Sequence, residues 1–237
     1  MRQYPKTVLI TAGTKRLGLR FAQTTIEMGY NVIVHYRTSS TAAHQWLHRN
    51  PSLKGRVFFI QHDLEFSPAT VIKKAMELPC TLIGLVNNAS LFSKGDLCDL
   101  SHLQQMMEIH CVVPATLGTC FYENIKKGWI INITDAIIDR PNLAYQNYRI
   151  SKLFLRELTR QQAVRFAPSI RVNALAPGAL MPSNNTTRKD FRSLARNIPL
   201  QQTGAVTSLM DAYRFLVNDQ YCTGQTISVD GGWNLTA

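Results

Sequence analysis

The sequence predicts a single doubly wound α/β domain built on about seven mainly parallel strands, with helices on both faces. Short apolar, β-branched runs alternate with longer segments of helical spacing. The first run leads into a small-residue turn and an amphipathic segment. Later runs close on polar or small residues: Asn87-Asn88-Ala89, Asp135 and Pro177-Gly178. Sheets of this kind bind ligands at the carboxyl ends of their strands, so these closures are the candidate site.

Thr7 to Thr11 reads as the first strand. Gly13, Lys15, Arg16, Leu17 and Gly18 follow, on the turn and N-terminus of a helix reaching about Met28. A helix N-terminus behind a tight turn is an anion site. Ala12 calls for a turn without positive φ, while Gly13 keeps some freedom. Asn31 to Tyr36 is the second strand, ending in Arg37-Thr38-Ser39. No Asp or Glu occurs from Tyr30 to His62. A carboxylate at the end of this strand holds the ribose 2′-hydroxyl of NAD; cationic and hydroxyl groups instead suit a 2′-phosphate, so the cofactor expected is NADPH.

Ser40–Arg49 has helical spacing, with Trp46 and Leu47 toward the core. Val57–Ile60 is a strand that delivers His62, Asp63 and Leu64. A helix over Val71–Leu78 precedes the strand Leu82–Val86, which delivers Asn87 to Phe92. Leu103 to Tyr122 reads as a long helix interrupted near Pro114. Trp129–Thr134 is a buried strand with Asp135 at its end, and a helix runs from about Tyr145 to Phe166. On that helix Tyr148 and Lys152 lie one turn apart on one face. An ammonium fixed beside a phenol favours the phenolate and lowers its pKa. Ile170–Ala176 is a further strand, closed by Pro177-Gly178; Met210–Val217 is the last helix and Gly224–Val229 the last strand. Between them, about 179–200, lies a polar stretch read as a lid, with Arg188, Lys189, Arg192 and Arg196.

The composition excludes several classes. Hydrophobic content of 45% and charged content of 17% suit a soluble globular chain of 237 residues. No apolar run approaches the ~18 residues of a membrane span, and the N-terminus has no secretory pattern, which together point to the cytoplasm. Five scattered cysteines without a CxxC read as reduced thiols, and no metal site is expected. The net charge of +11 is spread rather than interleaved with aromatics, so an anionic small molecule explains it better than nucleic acid.

Taken together, the turn, the NNA closure, the strand-end polar residue and the YxxxK pair resemble the short-chain dehydrogenase/reductases from Thr7 to Gly232. The pattern is therefore of the Rossmann type. Against the family's TGxxxGxG, Ala12 and Arg16 replace two glycines. Arg16, the Ser90-Leu91-Phe92 sequence after Ala89, and Asp135 where most of the family has Ser are similar to the pteridine reductases and bacterial dihydromonapterin reductases.

The resemblance implies that Gly13, Lys15, Arg16, Leu17, Gly18, Tyr36, Arg37, Thr38, Ser39, Asp63, Leu64, Asn88, Ala89, Ser90, Lys152, Pro177 and Gly178 hold the cofactor. It places Asp63 at the adenine amino group and Leu64 against that ring. It implies that Arg16, Ser90, Phe92, Asp135 and Tyr148 contact a pterin, with Phe92 stacked on its ring. Asp135, Tyr148 and Lys152 would be catalytic, and a pterin or folate the substrate, with a homodimer or homotetramer as the assembly. Whether N5 of the ring takes its proton from the Tyr148 side or from water near Arg16 stays open. His110 stands where the family often has an Asn that starts a proton relay; a relay through His110 and a histidine satisfied by a carbonyl are the two readings. A 3-oxoacyl or sugar carbonyl reductase, or a non-catalytic NADP-binding regulator, are the alternatives.

Overall fold

The computed structural model describes residues 4–182 and 187–236. Strand β1 (Lys6–Ile10) is buried from Thr7 onward and leads into helix α1 (Arg16–Glu27). β2 (Asn31–Tyr36), α2 (Thr41–Arg49), β3 (Val57–Gln61) and α3 (Ala69–Met76) continue outward on one side of β1. The chain then crosses to β4 (Thr81–Asn87), which pairs with the other edge of β1. α4 (Leu100–Met107), α5 (Val113–Asn124), β5 (Gly128–Ile133), α6 (Gln146–Phe166) and β6 (Ile170–Pro177) carry the sheet on. α7 (Arg188–Ser193), α8 (Val206–Asn218) and β7 (Thr226–Val229) complete it.

The strand order is β3-β2-β1-β4-β5-β6-β7, and every pairing is parallel. The expected mainly parallel sheet is thus wholly parallel. Two apolar clusters flank it. Phe21, Trp129, Met210 and Tyr213 belong to one, and Ile72, Leu117, Phe121 and Phe166 to the other. Strands buried on both faces explain why they read as continuous apolar runs rather than alternating ones. Because the strand order reverses between β1 and β4, a crevice opens at their carboxyl ends.

The long helix expected over 103–122 is divided. Residues Glu108–Val112 form a π-helical turn, and Val113 N–H reaches back five residues to the Glu108 carbonyl. Pro114, in the first turn of α5, has no N–H to return to the carbonyl four residues earlier. The wider turn re-satisfies the backbone at that point and puts buried His110 on its inner side. Across the lid region, residues 183–186 lie outside the described residues; α7 and a 3₁₀ turn over Leu194–Asn197 occupy the rest. Among the described residues, no helix is long and apolar enough to cross a membrane.

Candidate active site

The crevice is fastened across its two strands by side chain and backbone. Thr11 Oγ1 accepts from Asn88 N and Ala89 N, both at 2.9 Å, while Asn88 Nδ2 donates to the carbonyls of Thr11 (3.0 Å) and Ala12 (3.2 Å). One strand further, Asn87 Nδ2 donates to Asn132 Oδ1 at 2.8 Å, and Asn132 Nδ2 donates to Thr159 of α6. The three asparagines therefore hold the carboxyl ends of β1, β4 and β5 in fixed relation. Gly18 has to be glycine. A Cβ there would run into the Ala12 carbonyl and approach Asn88 Nδ2 to 2.8 Å.

The turn between β1 and α1 departs from expectation. Ala12 adopts φ 48° and Arg16 φ 50°, both left-handed. Ala12 therefore occupies the conformation a glycine would hold without strain, and does not avoid it. Buried His35 supports the turn: its Nδ1 accepts from Ala12 N at 3.2 Å, and its Nε2–H donates to the His62 carbonyl at 3.0 Å. Burial pushes the His35 imidazole down to about 4, so it stays neutral and keeps that acceptor. The sequence gives no sign of this role beyond a polar residue inside an apolar strand.

Lys15 is the exposed N-cap of α1, and the first turn of α1 carries no acid. Arg16 donates to the Pro182 carbonyl at 2.8 Å, joining this helix end to the start of the lid region. Tyr36, Arg37, Thr38 and Ser39 gather at the end of β2, with Thr14 Oγ1 donating to the Ser39 carbonyl. Glu65, from the loop after β3, comes within 4.0 Å of Arg37, a contact between two exposed side chains. Such a pair is weak and leaves the guanidinium available to a stronger anion. Asp63 Oδ1 accepts from Glu65 N, and Leu64 turns its side chain into the core.

At the ends of β5 and α6 three predicted residues meet. Tyr148 Oη donates to Asp135 Oδ2 at 2.6 Å, and Asp135 Oδ1 accepts from Ile137 N at 2.9 Å. Lys152 Nζ donates to the Ile133 carbonyl at 2.7 Å and lies 5.9 Å from the centre of the Tyr148 ring. Burial raises the Asp135 carboxyl above its usual range, with opposing pulls from Tyr148, Ile137 N–H and Lys152. The expected lowering of Tyr148 is overturned. Burial and then the Asp135 charge push the phenol well above 10.0. An anionic acceptor on the hydroxyl outweighs an ammonium that faces the ring rather than the oxygen. Burial draws Lys152 down to about 8, against an upward pull from Asp135.

Phe92 packs against Tyr148 from the loop after β4. It stacks on Tyr145 (centroids 4.8 Å, 12° between planes) and meets Tyr148 edge-to-face at 4.9 Å. Half of the Phe92 residue stays exposed. Tyr145 was missed in the sequence; its place three residues before Tyr148 at the helix start was the available signal. His110 does not bond to Lys152. Its Nε2 contacts Ser90 Oγ at 2.8 Å and accepts from Leu91 N at 3.3 Å, and its Nδ1 contacts Ser151 Oγ at 2.8 Å. Gly178 N donates to the Val229 carbonyl, and a Cβ on Gly178 would meet the Asp230 backbone at 2.6 Å, so Pro177-Gly178 closes tightly beside the end of β7.

A crevice at the β1/β4 switch, with a Tyr–Lys pair at the end of β5 and start of α6, is the arrangement of one large reductase family. The family described as enoyl-(acyl carrier protein) reductase matches residues 12–234. The chain belongs to the short-chain dehydrogenase/reductases. It is 30% identical to the dihydromonapterin reductase of Citrobacter koseri, with 99% of each chain covered. It is 29% identical to an uncharacterized oxidoreductase of Bacillus subtilis, covering 97% of this chain and 99% of the relative. Among solved structures it is similar to FolM alternative dihydrofolate reductase 1 of Brucella suis, in complex with NADP, with a TM-score of 0.92 and 29% identity over 98% of this chain and 96% of that one.

Proposed function

We propose that the protein is an NADPH-dependent reductase of 7,8-dihydropteridines, of the dihydromonapterin type. The observation that carries this reading is the buried Asp135–Tyr148 hydrogen bond, with Phe92 edge-to-face against Tyr148. A carbonyl reductase needs a hydroxyl donor where Asp135 stands, and an ionised carboxylate only accepts. The amino and ring N–H groups of a 2-amino-4-oxopteridine present the donors that a carboxylate binds. The relatives named dihydromonapterin reductase, and the NADP complex of the FolM reductase, support the same substrate and cofactor class.

The residues of the crevice fit NADPH. Gly13 and Gly18 would let the backbone come close, the acid-free N-terminus of α1 would receive the pyrophosphate, and Arg37, Thr38 and Ser39 would take the 2′-phosphate. Leu17, Asn88 and Ala89 would border the same cleft, Asp63 its adenine end, with Leu64 contributing its backbone because its side chain lies in the core, and Pro177-Gly178 its nicotinamide end. When bound, NADPH would supply a hydride to C6 of the dihydro ring, and N5 would take a proton in the same step, from the Tyr148 side or from water near Arg16. Asp135 accepts from the pterin N–H groups and holds the Tyr148 proton at Oη. Lys152 supplies positive charge beneath the pair, and Phe92, already ordered by Tyr145, covers the ring. Arg16, tied to Pro182, couples the phosphate turn to a lid over about 179–200.

Two finer points belong to the same proposal: a cytoplasmic location, and a homodimer or homotetramer. Phe154 and Val164, exposed apolar residues of α6, support the assembly, and a light-scattering mass above 26.7 kDa would bear it out.

The test follows NADPH oxidation with 7,8-dihydromonapterin, 7,8-dihydrobiopterin and 7,8-dihydrofolate in parallel. A rate with at least one pterin is expected. In Tyr148→Phe it falls by about 10²–10⁴ if Tyr148 delivers the N5 proton, and by less if water near Arg16 does; it is lost in Asp135→Ser. Tight NADPH binding with no rate on any of the three would refute the reading and favour ketone substrates.

A further inference from the structure

The buried polar group left over by this reading is His110. It lies on the π-helical turn, inaccessible to solvent, between the loop that carries Ser90 and the helix that carries Tyr148. Its ring also meets the Tyr148 ring edge-to-face at 5.4 Å.

Its hydrogen bonds have a direction. Leu91 N–H is a backbone donor and cannot reverse, so Nε2, 3.3 Å away, carries a lone pair. The proton of the neutral ring therefore sits on Nδ1 and is donated to Ser151 Oγ at 2.8 Å. Ser151 in turn donates to the Tyr148 carbonyl at 2.7 Å. Ser90 Oγ lies 2.8 Å from the same Nε2, and only the hydroxyl can supply a hydrogen to that contact. If Ser90 instead turned its hydrogen to the Leu91 carbonyl at 3.3 Å, two lone pairs would face each other at the shorter distance. Burial pushes the imidazole down to about 2, helped by Lys152, which keeps the ring neutral.

We propose that His110 is a positioning and specificity-determining residue that commits the single hydrogen of Ser90, so that Ser90 meets the ligand as an acceptor only. Ser90 is exposed, and the oxygen left facing the crevice receives N–H donors and disfavours a bare carbonyl. Ser90 and Asp135 would then be two groups that accept from the ligand, one neutral and one acidic. The substrate half of this proposal rests on the dihydropteridine reading; the polarity of Ser90 does not.

Nitrogen-15 NMR of histidine-labelled wild-type protein reads the polarity directly. A His110 ring protonated on Nδ1 and bare on Nε2 is expected, and the opposite tautomer would overturn the proposal. Kinetics read its consequence. The amide oxygen of His110→Gln can stand where Nε2 stands and still accept from Ser90 and Leu91, whereas His110→Asn can replace only the Nδ1 side. Gln should therefore keep the KM for the dihydropterin within about twofold, while Asn raises it about tenfold, the size of one lost hydrogen bond, with a smaller change in kcat. Combining His110→Asn with Ser90→Ala should be no worse than Ser90→Ala alone. Equal losses in Gln and Asn, or losses that simply multiply in the double variant, would show a packing role and overturn it. Should wild-type protein reduce no dihydropteridine, the substrate half falls with that reading, and the NMR result alone decides Ser90.

Discussion

Lys152 is the residue on which the electrostatics of the site turn. Its ammonium is buried, and desolvation alone would drive the proton off; the Asp135 carboxylate opposes that loss. With the group drawn down to about 8, a rate that needs the cation is fully present below that pH and is lost as pH rises through it. The kcat/KM–pH profile, which reports the free enzyme, should accordingly show an alkaline limb near 8. Removing the negative charge in Asp135→Asn removes the upward pull, so the limb of the residual rate moves to lower pH. A limb that stays put or moves upward would mean that Lys152 is not the titrating group. Spacing made this trio legible in the sequence, because one helical turn joins Tyr148 to Lys152 and a strand end carries Asp135. The sign of the tyrosine shift was not legible. It depends on the 2.6 Å contact to Asp135 and on burial, neither of which spacing encodes.

Among the elements, the turn from β1 to α1 carries the clearest departure from local preference. Two non-glycine residues, Ala12 and Arg16, hold left-handed φ within five positions, and both stand where the family's pattern has glycine. A non-glycine residue in that region costs ~1–2 kcal/mol, and glycine gives back ~0.5–1 kcal/mol through its larger unfolded-state entropy. Ala12→Gly should thus stabilise the fold by about 0.5–1 kcal/mol, read from the urea midpoint at unchanged slope. An unchanged or lower midpoint would show that the surrounding bonds, from His35 and Asn88, already absorb the strain. Arg16 does not offer the same test, since its side chain also reaches Pro182. The strand and helix sequence was legible because apolar runs and helical spacing alternate cleanly. The π-helical turn was not, since Pro114 marks a break in the helix without saying that the residues before it widen around a buried histidine.

At the scale of the whole molecule, the net charge of +11 and the strand order act together. The reversal between β1 and β4 opens one crevice, and the carboxyl ends of β1 and β2 bring Lys15, Arg16 and Arg37 to its rim. The excess of cations was legible from composition, and the ligand-binding strand ends from their motifs, while the strand order itself comes from the pairing of β1 with β4. Glu65 beside Arg37 was not, because the stretch free of acids ends just before the loop that returns it. A basic cleft raises the local concentration of an anionic ligand, and salt weakens that attraction once the screening length falls to ~8 Å near ~0.15 M. The KM for NADPH should therefore rise with ionic strength at nearly constant kcat. NADH lacks the 2′-phosphate, so its KM should rise less, and Arg37→Ala should bring the salt dependence of NADPH close to that of NADH. Parallel curves for the two cofactors in the wild-type protein would place the 2′-phosphate away from Arg37 and leave the charge as a general property of the surface.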